Sequence, residues 1–342
     1  MSHPLLRYLR ISVTSRCNLA CIYCRPGKSR ACSFVAERGP CPPSADEGDD
    51  LLTAEEIACF VRLAVECGIE KVRVTGGEPL MRPDIVEIVR DLARLPGLAD
   101  LGMTTNATLL APLARSLRKA GLRRINIGLS AITPAVYERI TCGGRVEDAL
   151  AGLRAALDAG LSPVKVNVVL MRGVNDGDIA ALAELTRDRS LEVRFVEFMP
   201  FQPPASLPKV PHSREPSGGC SDRIVPAAEV LARLRELGDP EPLPGRRGPA
   251  SAQRFRIRGY QGAIGIIAPH TEPFCQACDR VRLTADGKLR ACLIEGGEQD
   301  ILPLIRAGLD RPTMERLLAT SAAMKPDRHA GSFRGQMHRI GG

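Results

Sequence analysis

The sequence predicts an α/β fold, an incomplete (β/α)6 TIM-like barrel with a smaller C-terminal α+β domain. Through the first two hundred residues, short β-rich runs alternate with longer helical patterns, as they do in successive βα units of a parallel sheet. After residue 222 the pattern changes to short strands, a hairpin and two closing helices. The chain has 342 residues and is 44% hydrophobic, so it is long enough for a barrel and a second domain.

Six strands are predicted for the barrel, at residues 9–13, 71–75, 101–104, 124–128, 164–169 and 192–198. The first helix is expected to begin after Thr53, because Thr53 and Glu56 have the spacing of a capping box, and to end at Cys67 and Gly68. Further barrel helices are predicted at residues 84–93, 109–120, 146–159 and 178–187. Six strand–helix repeats are enough for a barrel that does not close.

Two irregular segments interrupt the barrel domain, which we predict to span residues 1–222. Residues 25–50 and 203–222 are rich in Pro, Gly, Ser and charged residues, and we interpret both as insertions. The C-terminal domain is predicted over residues 223–342. Its expected elements are strands at 253–258 and 263–268, a hairpin of residues 281–284 and 288–292 turning at Asp286-Gly287, and helices at 301–307 and 313–324.

The residues that follow the predicted barrel strands are unusual in content. In a barrel of this kind, the chemistry takes place at the carboxyl ends of the strands. A cysteine-rich loop follows the first strand and a Gly-Gly-Glu-Pro segment follows the second, at residues 76–79. Thr104, Gly128 and Met199 lie at the ends of the third, fourth and sixth strands. We therefore expect these loops to face one mouth of the barrel.

Three cysteines within the first 24 residues carry the strongest chemical signal. Cys17, Cys21 and Cys24 have the spacing Cys-x3-Cys-x2-Cys, and an aromatic residue, Tyr23, precedes the last thiol. A cubane iron–sulfur cluster has four irons, so three thiolates leave one iron free to bind a substrate or cofactor. Structural zinc needs four protein ligands, and this loop contains no histidine or fourth cysteine. The spacing favours an iron–sulfur cluster, with zinc or coincidence as the alternatives.

The Gly-Gly-Glu-Pro segment places the Glu78 carboxylate in a turn that has backbone freedom at two successive glycines. Such a loop can accept hydrogen bonds from an ammonium group. Taken alone, the segment is more typical of an ordinary strand-to-helix turn. Here the segment lies one βα unit after a cysteine loop that suits an open iron–sulfur cluster, and this context indicates a binding loop.

A second set of cysteines, Cys275, Cys278 and Cys292, has the spacing Cys-x2-Cys-x13-Cys in the predicted C-terminal domain. Zinc held by these thiols and His270 is one interpretation, and a second open iron–sulfur cluster is the other. Between the thiols lies the segment Arg280-Val281-Arg282, whose arginine side chains suit phosphate oxygens. An exposed strand face is the alternative explanation for these arginines.

Composition limits the class of protein. A formal charge of +8 favours an anionic partner, although most Lys and Arg residues are simply solvated. The chain has no Trp and only 4% aromatic residues, so we expect no nucleic acid and favour a small polyphosphate. The chain has twelve cysteines, several of them in short-spaced clusters, which point to metal chemistry in a reducing compartment. Without a signal peptide or a run of about 18 apolar residues, the chain is expected to be cytoplasmic, with no membrane partner.

Together, the Cys-x3-Cys-x2-Cys frame, the aromatic residue before its last cysteine and the Gly-Gly-Glu-Pro segment resemble the radical S-adenosylmethionine superfamily. The resemblance implies that Cys17, Cys21 and Cys24 ligate a [4Fe-4S] cluster whose open iron chelates the methionine moiety of S-adenosyl-L-methionine. Reductive cleavage of this cofactor would release a 5′-deoxyadenosyl radical. The cofactor-binding positions implied by the resemblance are Tyr23, Gly77, Glu78, Gly128, Ser130 and Met199.

With the second cysteine set, the chain is similar to the GTP 3′,8-cyclase family over nearly its whole length. The matching segments are residues 9–14, 75–82, 104–106, 194–199, 283–288 and 339–342. By composition the terminal Gly341-Gly342 is a frayed tail, whereas in the family this tail enters the barrel and helps to assemble the active site. The resemblance also implies a second [4Fe-4S] cluster, on Cys275, Cys278 and Cys292, that holds the purine.

The family's activity is the conversion of GTP to 3′,8-cyclo-7,8-dihydro-GTP, the first step of molybdenum cofactor biosynthesis. The implied steps are hydrogen abstraction from C3′, attack of the carbon radical on C8, and reduction. The implied substrate-binding positions are Arg10, Arg73, Thr104, Lys165, Arg280, Val281 and Arg282. The implied catalytic positions are Arg280, Arg282, Gly341 and Gly342. Structural ion pairs are the alternative for these charged groups, although a lysine at position 165 of an inward-facing strand would be costly without a partner.

The resemblance also implies partners beyond GTP. An electron donor such as flavodoxin or ferredoxin would reduce the cluster, and the cyclic pyranopterin monophosphate synthase would be functionally linked. The protein is expected to be a monomer or homodimer.

Two positions after the fourth strand depart from the family pattern, as do the longer first insertion and Arg25, which follows Cys24 where a methionine is common. Where the family reads Asn-Val-Ser-Leu-Asp after its fourth strand, this chain reads Asn-Ile-Gly-Leu-Ser at residues 126–130. Gly128 therefore replaces a serine that contacts the cofactor, and Ser130 replaces an acid. A diverged paralogue that acts on another nucleotide or on a peptide is one alternative function. A non-catalytic metal-binding protein that binds nucleic acid through its basic surface is another.

Overall fold

The computed structural model describes residues 5–24, 51–199, 223–244, 252–329 and 337–340. The two predicted insertions and the terminal Gly341-Gly342 lie outside these residues. Twelve strands are present in the described part of the chain. They are β1 (Tyr8–Ser12), β2 (Lys71–Thr75), β3 (Asp100–Thr105), β4 (Arg124–Gly128), β5 (Val164–Leu170), β6 (Leu191–Glu197), β7 (Pro240–Leu243), β8 (Gln253–Ile257), β9 (Ala263–Ile267), β10 (Arg280–Leu283), β11 (Lys288–Cys292) and β12 (Gly296–Asp300).

All twelve strands belong to one open sheet, in the order β12-β11-β10-β1-β2-β3-β4-β5-β6-β9-β8-β7. The eight strands from β10 to β9 run parallel to one another, and the outer strands pair antiparallel. The strands β1 to β6 are neighbours in chain order, each joined to the next through helical turns. The predicted incomplete (β/α)6 barrel is therefore confirmed.

Ten α-helices cover the described part of the chain. They are α1 (Ala54–Glu66), α2 (Ile85–Ala93), α3 (Ala114–Lys119), α4 (Pro134–Thr141), α5 (Val146–Asp158), α6 (Ile179–Ala183), α7 (Ala227–Leu234), α8 (Leu302–Arg306), α9 (Arg311–Ala323) and α10 (Met337–Ile340). The predicted capping box is confirmed, since Glu56 N donates to the Thr53 hydroxyl and Thr53 N donates to the Glu56 carboxylate. In the described residues, no helix has the length and apolar character needed to cross a membrane.

The barrel strands have two buried faces. In β1, Leu9 and Ile11 are fully buried and belong to the hydrophobic core under the helices. Arg10, between them, faces a cavity on the other side of the sheet. The same alternation recurs in β2, where Val72 is in the core and Arg73 lines the cavity. Because side chains alternate along a strand, the polar residues of the central strands are collected on one surface.

The C-terminal strands extend the barrel sheet. β10 pairs with β1 and β9 pairs with β6, both in parallel. The predicted hairpin of β10 and β11 is confirmed, and its turn contains Gly287 at φ +75°, a left-handed conformation that favours glycine. The division into two domains at residue 222 stays a prediction.

Several elements differ from the sequence-based expectation. Helix α3 begins at Ala114, five residues later than predicted, because the preceding residues form turns in which Leu110 N bonds Ala107 O and Leu113 N bonds Leu110 O. The proline at position 112 has no N–H to contribute to an earlier helix. Strand β12 was not predicted, because Gly-Gly-Glu-Gln-Asp has low strand propensity; pairing with β11 forms it. Elements α4, α7, α10 and β7 were also not predicted.

We expect Gly152→Ala to destabilise the fold, although alanine is the better helix former. Gly152 lies in α5, and a Cβ built there would be 2.1 Å from the carbonyl oxygen of Ala107. Relieving such a contact requires a backbone shift, for which about 1–3 kcal/mol is typical. Thermal melting of the cluster-free protein measures the effect. Gly177→Ala is the matched control, since nothing lies within 4 Å of its added Cβ, and equal melting temperatures for both variants would contradict the prediction.

Candidate active site

A cavity of about 740 Å³ occupies the inner face of the barrel sheet. Residues of all six barrel strands and of β10 contribute to its wall. Both cysteine triads line this one cavity, although they lie far apart in the sequence. The predicted site residues among its lining are Arg10, Cys17, Cys21, Tyr23, Cys24, Arg73, Gly77, Thr104, Gly128, Ser130, Lys165, Met199, Cys275, Cys278, Arg280, Arg282 and Cys292.

The two triads approach the cavity from opposite ends of neighbouring strands. Cys17 follows the carboxyl end of β1, whereas Cys278 precedes the amino end of β10. The two strands are parallel and in register, with Tyr8 opposite Arg280 and Arg10 opposite Arg282. The strand length, about 17 Å for five residues, therefore separates the two ends. The expectation that the loops after the barrel strands share one mouth concerns the first triad, and the second triad lies at the other end of the strands.

The first cysteine loop is held by main-chain hydrogen bonds to the end of α4. Ala20 N donates to Thr141 O at 3.1 Å, and Ile22 N donates to Ile140 O at 2.9 Å. The three cysteines are reduced thiols of intermediate exposure. The Asn106 side-chain amide lies 3.9 Å from Cys17 Sγ, within the distance of a weak hydrogen bond to sulfur. The loop thus presents three thiols and a side-chain donor to the cavity.

The Gly-Gly-Glu-Pro segment is joined to the chain just before the first cysteine. Gly77 N donates to Thr14 O at 2.7 Å, and Glu78 N donates to Arg16 O at 2.7 Å. A Cβ at position 77 would lie 2.1 Å from the Arg16 carbonyl oxygen, so only glycine fits. The segment therefore fixes the main chain from which the cysteine loop departs.

The Glu78 carboxylate is fully buried and is not part of the cavity lining, and its contact with the cofactor stays a prediction. It accepts hydrogen bonds from Thr105 Oγ1 at 2.6 Å, Asn106 N at 2.7 Å and Leu80 N at 3.1 Å. Burial raises the pKa of Glu78 to about 7, although these hydrogen bonds oppose the rise. Because Asn106 also reaches Cys17, we expect Glu78 to position the first triad.

The remaining cofactor positions surround the first triad. The Tyr23 hydroxyl and the Ser130 hydroxyl are 2.9 Å apart and share a hydrogen bond. Burial raises the pKa of Tyr23 well above its usual value, so it stays a neutral phenol. At Gly128 an added Cβ would meet only Thr105 O, at 3.9 Å, so the serine of the family pattern would fit in this fold.

Arginines from three neighbouring strands form a row across the cavity wall. Arg73 on β2, Arg10 on β1 and Arg282 on β10 are register partners. Arg280 lies two residues before Arg282 on β10, on the same face of the sheet. Its guanidinium stacks over the rings of Tyr8 and Phe274, at 5.7 Å and 5.5 Å from their centroids. We call Arg10, Arg73, Arg280 and Arg282 the arginine wall.

Burial and neighbouring positive charges lower the pKa values of three basic residues of the cavity. Burial, followed by the charge of Arg282, lowers the pKa of Arg10 to about 9. Burial and the charge of Arg280 lower the pKa of Arg282 to about 10. On β5, burial and Arg194 lower the pKa of Lys165 to about 7. These shifts mean that the cavity would gain free energy from an anion that neutralises the cations.

Several buried polar atoms of the cavity wall have no hydrogen-bond partner in the described part of the protein. Buried polar groups in native proteins are nearly always satisfied, so atoms of this kind mark a place where a ligand binds. Those on predicted substrate positions are Arg73 Nη1, Thr104 Oγ1, Arg280 Nε and Arg282 Nε. They require acceptors, which phosphate and ribose oxygens provide.

The second triad lies on a short 3-10 turn and a strand end. Cys275 begins the turn, Cys278 follows it, and Cys292 ends β11. Burial raises the pKa of Cys275. Burial would also raise the pKa of Cys278. The charge of Lys325, a main-chain hydrogen bond and the charges of Arg280 and Arg282 outweigh burial, so the pKa of Cys278 is lowered. The thiol nearest the lysine thus favours the thiolate form in which it binds metal.

Besides Glu78, two residues considered from the sequence lie away from the cavity. Val281 is fully buried opposite Leu9, in the core on the other face of the sheet. His270, the fourth ligand in the zinc interpretation, does not line the cavity, and its main-chain N donates to Glu197 at 2.8 Å. The histidine among the cavity-lining residues is His329. Across the described ranges, no three His, Cys, Asp or Glu side chains are grouped so as to hold a single metal ion.

Known proteins share both halves of this arrangement. Residues 11–186 match the Radical SAM superfamily, and residues 191–331 match Molybdenum Cofactor Synthesis C. A GTP 3′,8-cyclase of Moorella thermoacetica is 41% identical over 324 residues, which cover 95% of this chain and 92% of that protein. The chain belongs to the GTP 3′,8-cyclase family of the Radical SAM superfamily.

More distant comparisons agree with this membership. Molybdenum cofactor biosynthesis protein 1 of Homo sapiens is 39% identical over 327 residues, which cover 95% of this chain and 47% of that protein. The crystal structure of Streptococcus suis SuiB bound to S-adenosylmethionine has a TM-score of 0.53 and 13% identity, and covers 98% of this chain and 78% of that one. The likeness to SuiB shows the fold alone. Membership of the Radical SAM superfamily implies an iron–sulfur cluster and S-adenosylmethionine.

Some residues of this cyclase-family site were not anticipated from sequence. Tyr8 contacts Arg73 through its hydroxyl, and nearby arginines, Arg73 foremost, lower its pKa to about 8 although burial raises it. Arg194 and Asn167 line the cavity from inward positions of β6 and β5, which strand alternation would have found. No spacing or motif points to Lys325.

We expect Glu78→Ala to lower the melting temperature of the cluster-free protein and the iron content after reconstitution. The substitution leaves three buried donors without an acceptor, at about 1–3 kcal/mol for each such group. Glu78→Gln keeps one acceptor oxygen, so its melting temperature and iron content should lie between those of the wild type and those of Glu78→Ala. Glu87→Ala, on the exposed face of α2, is the control and should change stability by less than about 0.5 kcal/mol. A wild-type melting temperature for Glu78→Ala would contradict the positioning role.

Proposed function

We propose that the protein is a radical S-adenosylmethionine enzyme that converts GTP to 3′,8-cyclo-7,8-dihydro-GTP. The observation that carries the proposal is the pair of cysteine triads on one cavity, with the arginine wall between them. One triad would generate a radical and the other would hold the substrate, and the arginines would bind the phosphates. The names and close similarity of the relatives support the same reaction.

Residues of the first triad fit an open iron–sulfur cluster. Cys17, Cys21 and Cys24 offer three thiolates, and Asn106 offers a hydrogen bond to one of the sulfurs. When bound, the cluster and S-adenosyl-L-methionine supply the radical that abstracts hydrogen from C3′. Around them, Gly77, Gly128, Met199 and the Tyr23–Ser130 pair would orient the cofactor and exclude water.

The arginine wall and Lys165 would bind the triphosphate and ribose. Their charges face a cavity in which few carboxylates oppose them, and Arg194 is already paired with Glu192. In an environment of low effective dielectric, charge-assisted hydrogen bonds to phosphate are strong. Thr104 would add a hydroxyl contact. Held in this way, C3′ and C8 of one nucleotide would be kept in an orientation that favours bond formation between them.

A second [4Fe-4S] cluster on Cys275, Cys278 and Cys292 would hold the purine near Arg280 and Arg282. Its open iron can bind a nitrogen-rich base. The separation of the triads along the strands suits a nucleotide that spans the cavity, with its base at one end and its ribose near the other. The catalytic role of Gly341 and Gly342 lies outside the described residues and stays a prediction.

The proposal also covers the partners, the cellular location and the oligomeric state of the enzyme. A one-electron donor such as flavodoxin or ferredoxin would reduce the first cluster, and the cyclic pyranopterin monophosphate synthase would act on the product. We place the enzyme in the cytoplasm, as a monomer or homodimer. A paralogue acting on another nucleotide or a peptide is the second candidate function, favoured by the missing serine at Gly128.

An anaerobic product assay tests this function. We expect reconstituted protein with GTP, S-adenosyl-L-methionine and reductant to form 5′-deoxyadenosine and the cyclised nucleotide in equal amounts. Cys21→Ser should abolish both products, because it removes one of the three ligands. Cys59→Ser is the matched control, since Cys59 is an exposed thiol on α1 away from the cavity, and it should retain wild-type rates.

Other outcomes separate the alternatives. Deoxyadenosine without cyclised product from GTP would favour the paralogue. No deoxyadenosine from wild-type protein carrying its full iron content would leave the non-catalytic, nucleic-acid-binding alternative. Wild-type activity in Cys21→Ser would contradict the assignment of the first triad.

We expect GTP affinity to fall as the pH rises from 7 to 8.5. Burial holds the pKa of Lys165 at about 7 in the ligand-free protein, so the ammonium is lost through this range and must regain a proton to meet phosphate. The limiting slope is tenfold in Kd for each pH unit. The charged groups that face Lys165 are Arg194 and Glu192 on β6, Arg124 on β4 and Arg73 on β2.

Binding measured without S-adenosyl-L-methionine gives this pH profile directly. Lys165→Arg keeps its charge throughout the range, so its profile should be flatter than that of the wild type. Lys165→Met should bind weakly at every pH. A wild-type Kd that does not change with pH, or the same slope in Lys165→Arg, would show that another group causes the dependence.

A further inference from the structure

Lys325 lies two residues beyond α9 and is buried, with 7% of its surface exposed. Its ammonium donates to Arg280 O at 2.6 Å, to Ala291 O at 3.0 Å and to Cys278 Sγ at 3.5 Å. An ammonium group has three donors and no acceptor. Every donor of Lys325 is therefore used, and one of them is directed at a sulfur of the second triad.

The position of this ammonium joins the two strands that carry the triad. Arg280 O belongs to β10, two residues after Cys278, and Ala291 O belongs to β11, next to Cys292. Lys325 thus connects the main chain of both strands to a thiol of the second triad.

Charge gives this contact a consequence for redox chemistry. A cubane cluster on three thiolates is anionic, and it gains a further negative charge on reduction. A cation in hydrogen-bonding contact with a ligand sulfur stabilises the reduced form more than the oxidised form. Arg282 is also near, but its Nε has no hydrogen-bond partner among the described residues, whereas Lys325 is fixed by two carbonyl groups.

We propose that Lys325 is a positioning residue of the second cluster, which fixes the Cys278 thiolate and raises the reduction potential of that cluster. The inference rests on the second cluster of the proposed function. It assigns a role in tuning that cluster to a residue that lies outside both cysteine motifs.

The test compares full-length proteins reconstituted under anaerobic conditions: wild type, Lys325→Gln, Lys325→Arg and Lys288→Gln. Iron content is measured first, and about eight irons per chain correspond to two cubanes. Reduction potentials then come from EPR-monitored titration, in which the signal that shifts on adding S-adenosyl-L-methionine identifies the first cluster. Lys288, a half-buried residue of β11 paired with Asp286, is the matched control for loss of charge.

In Lys325→Gln we expect the potential of the second cluster to become more negative, with at least a tenfold fall in the reduced-to-oxidised ratio at a fixed solution potential. For one electron that change is about 59 mV. Lys325→Arg should restore most of the wild-type value, and Lys288→Gln should match the wild type. The first cluster should keep its potential in all four proteins.

Each other result has a definite meaning. An unchanged potential in Lys325→Gln with full iron overturns the inference and leaves the proposed function intact. About four irons per chain in the wild type overturns the second cluster itself. If Lys325→Gln loses the second cluster, retention of that cluster at the wild-type potential in Lys325→Arg supports the role of the charge, and its loss there overturns it.

Discussion

The parallel pairing of β1 with β10 is the contact on which the site depends. It places a strand from the C-terminal region beside the first strand of the barrel, with Leu9 and Val281 sharing the core and Arg10 and Arg282 sharing the cavity. Without this pairing the second triad would have no fixed relation to the first. Because both strands run in the same direction, a loop after one and a loop before the other lie at opposite ends of the same interior.

Buried charge is the second constraint. Each guanidinium of the arginine wall loses hydration, and like charges stand on adjacent strands, so the empty cavity is electrostatically unfavourable. The hydrophobic core on the other face of the sheet, built from Leu9, Ile11, Val72 and their neighbours, holds the strands in place despite this repulsion. Binding energy is thus available to an anionic ligand because the fold keeps the cations together before it arrives.

Much of the barrel was predictable from sequence because alternating strands and helices have strong local signals. The six barrel strands were located to within two residues, and the capping box of Thr53 and Glu56 was found. The weaker elements form through pairing that local propensity does not encode, as β12 shows. Inward positions such as Arg10 and Arg282 were identified from family resemblance, whereas the row that they form depends on register between distant strands.

The site residues that belong to a motif were predictable from sequence. The residues that hold those motifs in place from distant parts of the chain were less so. Both cysteine triads are evident from spacing. Glu78 was recognised from its motif, but only the fold shows that its oxygens accept hydrogen bonds from Thr105, Asn106 and Leu80. Lys325 reaches Cys278 across 46 intervening residues, and no local pattern indicates such a contact.

The continuity of the sheet bears on how the polypeptide can be divided. Both outer strands of the six-stranded barrel, β1 and β6, find their second neighbours in the C-terminal region, β10 and β9. A fragment that stops at residue 199 would leave two exposed sheet edges, β1 and β6, with unpaired main-chain groups and uncovered apolar side chains. Exposed edges of this kind promote intermolecular strand addition and precipitation. The parts of the chain that match the two family models therefore contribute strands to one continuous sheet, and a cut between them would separate the hydrogen-bonded neighbours β5 and β6.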